Sequence, residues 1–172
     1  MRMTIYRQIT NNYWTEFIIM MELSELIMGR VINTELPTIK RRRICGLIVN
    51  AIGKLNGADL NASTRNDLIA FIILSLNEIK KTLLQTTSQW EKRGYWIKSE
   101  KFLSEWTWVN KNFYGLLSQR TDEGWCNLPQ EIAAISDELK DIPVLKKSTL
   151  ENFWEGAFTH LSDKYKNEPP KK

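Results

Sequence analysis

Histidine occurs once in this chain of 172 residues and cysteine twice, and the two shortages remove much of the common catalytic and metal chemistry. With His160 alone, a zinc site built on two histidines cannot form within the chain. A di-iron site in a helical bundle, which takes Glu-x-x-His motifs from two helices, is excluded on the same ground. Cys45 and Cys126 lie far apart, outside any nucleophile motif and without the spacing of a disulfide framework, so reduced thiols are expected. The sequence carries no GxGxxG, no GxxxxGK[ST] and no GxSxG, the strings that would signal dinucleotides, nucleotide phosphates or an activated serine. No catalytic residue, no metal and no cofactor is therefore expected.

Long apolar runs are also missing. The longest, LIAFIILSL at residues 68–76, is nine residues, against the roughly 20 that span a bilayer. FIIMM at 17–21 is too short for a signal-peptide core, and Glu22, Glu25 and Arg30 break up the stretch after it. Neither a membrane span nor a leader is expected. No alternating pattern persists long enough for a strand, and no hairpin turn separates two β-rich segments. Net charge is +4, mildly basic, which permits an acidic partner without demanding one.

The chain is rich in helical periodicity. The organising stretch runs from Ser63 to Trp90, where Leu68, Ile72, Leu76, Ile79, Leu83 and Trp90 share one stripe at 3.6 residues per turn. Phe71, Ile73 and Leu74 fill other directions of its first half, which marks a helix covered on most sides. Thr64 and Asp67 resemble a capping box at its start, and Glu78 reads as solvent-facing. Around it, helices are predicted at about 13–32, 37–55, 96–118, 129–140 and 148–165. The helix at 37–55 has the cleanest stripe, through Ile44, Leu47, Ile48, Ala51, Ile52 and Leu55, and Asn56-Gly57 ends it with Gly57 free to take a positive φ. Gly94 breaks the path after Trp90, and residues 121–129 read as a loop. The fold class is all-α: a single-domain bundle of about six helices around a buried central helix at about 63–90. One domain covers 1–166, with fraying over 1–11 and a disordered tail at 167–172.

Three groups of residues are candidates for function. Lys40, Arg41, Arg42 and Arg43 occupy the opening turns of the second helix, where positive charge opposes the helix dipole and would favour an anion or a partner's carboxylates. A solvated basic turn, neutralised by Glu35 or by acids brought near in the fold, is the plainer alternative. Gly46, Asn50 and Gly53 fall together opposite the apolar stripe, which suggests close helix packing or a dimer contact. The third group is the aromatic segment WEKRGYWIKSEKFLSEWTW at 90–108. Counted along one helix, Trp108 points away from Phe102 and Trp106, towards Ile97 and Lys101. That would make an interaction face, unless the aromatic residues Phe153, Trp154 and Phe158 cover it.

NDLIAFIILSLNEI followed by WEKRGYWIKSEKFLSEWTW resembles a family of small all-helical proteins of cyanobacteria and plastids, over about residues 37–117. That resemblance implies a compartment, cytoplasm or plastid stroma, and no mechanism. The residues themselves favour a non-enzymatic protein-interaction, adaptor or assembly role, with a homodimer as one form of it. Nucleic-acid binding is second, with Lys40–Arg43 on phosphates and aromatics stacking on bases. A small-molecule or pigment carrier is third, since a tryptophan-rich bundle can hold a planar ligand between helices.

Overall fold

The structure, a computed structural model, describes residues 36–57, 60–125, 128–143 and 152–165. The helix expected at 13–32, the frayed start, Cys126 and the tail lie outside the described residues. Within them the protein is all-α: six helices and no strand. They are α1 (Pro37–Leu55), α2 (Ala62–Glu91), α3 (Trp96–Glu105), α4 (Thr107–Ser118), α5 (Pro129–Glu138) and α6 (Ala157–Lys164).

The core is built on α2, as its stripe predicts. Every residue of the run Leu68–Leu76 is buried, and Leu68, Phe71, Ile72, Ile73, Leu76 and Ile79 lose all contact with solvent. α1 lies along α2 with the most extensive contact, and α6, α4 and α3 each pack on α2 as well. α5 leans mainly on α4, with a smaller contact to α1. Ile44, Ile48, Ala51 and Ile52 supply the apolar face of α1, and Val109, Phe113 and Leu116 that of α4.

The helix ends depart from expectation in instructive ways. Asn61, not Thr64, caps α2: its side-chain oxygen accepts the amide of Thr64 at 2.7 Å. Asp67 reaches instead across the bundle, where its carboxylate accepts the amide of Phe158 at 2.9 Å in the unsatisfied first turn of α6. The other end of α2 closes on Gly94 in the left-handed region, φ 77°. The amide of Tyr95 reaches the carbonyl of Trp90 at 3.0 Å and that of Gly94 the carbonyl of Glu91 at 2.9 Å, the paired bonds of a Schellman motif. Asn56 and Gly57 do end α1, but without the expected positive φ at Gly57.

Two helices are shorter than their periodicity suggests. The stretch expected as one helix at 96–118 is two, because Trp106 leaves helical geometry at φ −110°, ψ 13° and serves as the boundary of both α3 and α4. Of the helix expected at 148–165, residues 148–151 lie outside the described ones, and the described part becomes helical only at Ala157, after a turn in which Asn152 and Gly156 both take positive φ. The loop after α4 is tightly tied: Thr121 and Gly124 pair their backbones, and Asn66 of α2 donates to the carbonyl of Glu123 at 2.8 Å. Trp125 then turns inward and its indole N–H donates at 2.8 Å to the carbonyl of Leu116, in the last turn of α4.

Candidate functional site

The four cations at 40–43 do not form one basic surface. α1 and α2 run antiparallel, so the first turns of α1 meet the second half of α2. Lys40 is drawn to Glu78 at 3.7 Å, and Glu78 also holds Lys81, which leaves this carboxylate largely covered rather than solvent-facing. Arg42 and Arg43 are exposed. Arg41 is buried, with 5% of its surface accessible. Its signal was present in the sequence: Arg41 precedes Ile44, Cys45 and Ile48 by three, four and seven residues, so it sits on the apolar stripe of α1.

No carboxylate lies within ion-pair distance of Arg41 among the described residues. Its guanidinium instead occupies an aromatic cage, 5.0 Å from the ring centre of Phe102 and 5.1 Å from that of Trp106. A planar, weakly hydrated cation suits that position far better than an ammonium would. One nitrogen donates to the Thr82 hydroxyl at 3.3 Å, and that hydroxyl donates in turn to the carbonyl of Ile79 at 2.7 Å. Burial lowers the Arg41 pKa from its ordinary value, but a guanidinium stays protonated in proteins. Next to it, burial pushes the Cys45 thiol up to about 11, so it is a protonated core residue and not a nucleophile.

The cage continues as a ladder of rings. Trp90 meets Phe102 edge-on at 5.1 Å, Phe102 lies 6.3 Å from Trp106, and Trp106 stacks on Trp108 at 5.8 Å and 29°. Lys98 places its ammonium 4.4 Å from the ring centre of Trp90. Trp108 is thus half-buried against its neighbour instead of projecting with Ile97, and the reason is the break at Trp106. Counting 100° per residue across a non-helical residue assigns Trp108 to the wrong side. The C-terminal aromatics do not cover this segment either. Phe153 packs edge-on against Phe71 at 4.8 Å, Trp154 receives Lys54 at 4.8 Å, and Phe158 meets Trp125 at 5.8 Å.

The consequence is a two-faced α3. Ser99, Phe102 and Trp106 turn inward, and the Ser99 hydroxyl donates to Glu91 at 2.9 Å. The outward side carries Trp96 at 63% exposure, Ile97 at 85% and Leu103 at 37%, with exposed Tyr95 just before the helix. Trp96 and Leu103, seven residues apart, lie on one stripe with exposed Glu100 between them, and Ile97 borders it beside exposed Lys101. A ten-residue helix is marginal alone. The cage, the Ser99–Glu91 bond and the Schellman turn fix it on the bundle with its apolar side facing water.

The glycine group divides as a packing site. Gly46 is buried and Asn50 half-buried, but Gly53 is exposed and a methyl group added there would meet nothing within 4 Å. Among the described residues no cluster of three or more His, Cys, Asp or Glu could hold a metal ion, and no helix is long and apolar enough to cross a membrane. No protein-family model, no curated protein and no solved structure matches the chain.

Proposed function

We propose that the chain is a non-enzymatic interaction protein that receives a partner protein on the outward side of α3. The observation that carries this reading is the exposure of Trp96 and Ile97 on a helix whose inner side is clamped by Arg41, Phe102 and Trp106. Large apolar side chains held rigidly in water are a standing cost that docking would remove, and tryptophan and tyrosine are enriched among residues that dominate binding energy. Lys92, Arg93 and Lys101 are exposed around them and exposed Glu100 lies between Trp96 and Leu103, which favours a partner segment that is apolar on one side and carries charges of both signs at its margins.

Nucleic acid becomes the weaker reading for a physical reason. Two of the four cations assigned to phosphate contact are committed elsewhere, Lys40 to Glu78 and Arg41 to its cage. The test is affinity capture from native extract with and without nuclease. A bound protein should survive nuclease and be lost with the double variant Trp96→Ala, Ile97→Ser, while Arg42→Ala with Arg43→Ala retains it. Capture that vanishes with nuclease would replace this reading with the nucleic-acid one, and a nuclease-resistant partner lost with the arginines would move the protein contact to the basic turn. The compartment implied by the resemblance, cytoplasm or plastid stroma, remains part of the proposal.

A further inference from the structure

The opposite end of the bundle carries a cavity that the α3 reading does not use. It has a volume of about 500 Å³ and lies where α1 ends, α2 begins and α5 passes over them. Cavities that take small ligands are typically about 300–1,000 Å³, apolar inside, with a few polar groups that fix orientation. Its volume falls in that range, while it stands half open to solvent and its lining is about as polar as it is apolar. Its floor is formed by Ile52, Ile69, Trp125 and Leu128, all buried, and by half-buried Ile132. Trp125 offers only its apolar ring surface there, because its N–H is committed to the Leu116 carbonyl.

The rim is as informative as the floor. Asn56, Arg65, Ser136 and Asp137 line it and all four are exposed. It therefore holds one cation and one carboxylate, and neither has an ion-pair partner among the described residues. The helix ends agree in polarity, since α1 brings its carbonyl end to the rim and Arg65 lies in the first turns of α2. An apolar ligand with one charge would satisfy only half of this edge.

We infer that the cavity binds a small zwitterion with an apolar body, of which an α-amino acid with a large aliphatic or aromatic side chain is the simplest case. The side chain lies on Trp125 and Ile69, the carboxylate meets Arg65, and the ammonium meets Asp137, with Asn56 and Ser136 as neutral hydrogen-bonding groups. The site is independent of the α3 surface. Arg65 and Trp96 are separated by most of the length of α2, about 40 Å at 1.5 Å per residue.

Calorimetric titration of the full chain tests this with four probes: L-phenylalanine, L-leucine, 3-phenylpropionate, which lacks the ammonium, and 2-phenylethylamine, which lacks the carboxylate. The expected result is saturable one-to-one binding of both amino acids, with each truncated probe at least tenfold weaker than L-phenylalanine. Arg65→Ala should weaken L-phenylalanine at least tenfold and leave 2-phenylethylamine unchanged. Asp137→Ala should weaken L-phenylalanine equally and leave 3-phenylpropionate unchanged. Both positions are exposed, and melting curves check that the variants fold; the comparison of probes on the unaltered protein stands without them. Absence of saturable heat at millimolar amino acid would overturn the inference, as would a truncated probe that binds as well as the zwitterion.

Discussion

Arg41 of α1 donates to the hydroxyl of Thr82 on α2 at 3.3 Å while its guanidinium lies against Phe102 and Trp106. One side chain thus joins three helices, and it does so as a charge without a carboxylate among the described residues. Burying a cation costs desolvation energy, which the two rings and one hydroxyl offset.

The first prediction separates the packing of that side chain from its charge. Arg41→Ala empties the cage and should destabilise by about 2 kcal/mol or more. Arg41→Met keeps the volume and removes the desolvation cost, so it should fall within about 1 kcal/mol of the original protein. Arg42→Ala, at an exposed position, should stay within about 0.5 kcal/mol. Chemical denaturation of the three variants checks the order. Equal effects at 41 and 42 would mean that the cage contributes nothing.

A second prediction addresses the spine. Ile72 is fully buried in α2, and Ile72→Ala should destabilise by about 2–5 kcal/mol. Gln85→Ala, on the exposed side of the same helix, should change stability by no more than about 0.5 kcal/mol. Glu78 would be a poor control, since it is held by both Lys40 and Lys81. Matching losses at 72 and 85 in urea titrations would contradict the assignment of the buried stripe.

The spine was legible because nine consecutive residues, 68–76, leave a helix no polar side to expose. The end at Gly94 was legible because glycine tolerates the left-handed region that a Schellman turn needs. Arg41 was misplaced because four adjacent cations read as one feature, although a helix sends residues 40 to 43 in four directions. Trp108 was misplaced because nothing local announces that Trp106 leaves the helix; tertiary packing of the ring ladder sets that break. The pairing of Asp67 with Phe158 spans 91 positions and leaves no periodic trace. The cavity between α1, α2 and α5 is equally silent, since its floor consists of residues any core would contain.

The third prediction rests on Asp67. Burial raises its pKa above the ordinary 3.8, and the amides of Phe158 and Gly156 offset that only in part. A folded state that holds the proton more tightly than the unfolded one loses stability as pH rises from about 3.8 through the folded pKa. Asp67→Asn retains an acceptor for the Phe158 amide and has no proton to lose. The stability of the original protein relative to Asp67→Asn should therefore decline over that window as pH increases. Thermal melts of both proteins between about pH 4 and pH 7 check the slope; a relative stability that climbs with pH would reverse the sign and contradict the burial of this carboxylate.

The most direct measurement of the α3 surface places a photo-crosslinking benzoylphenylalanine at Ile97 in one protein and at Gln85 in another, both exposed positions. Each is irradiated in native extract and the adducts are identified by mass. The docking account predicts a discrete protein adduct from position 97 that is absent from position 85 and survives nuclease. Excess unlabelled chain should suppress it, and excess chain carrying Trp96→Ala should not. No adduct specific to position 97, or a nucleic-acid adduct there, would contradict the account.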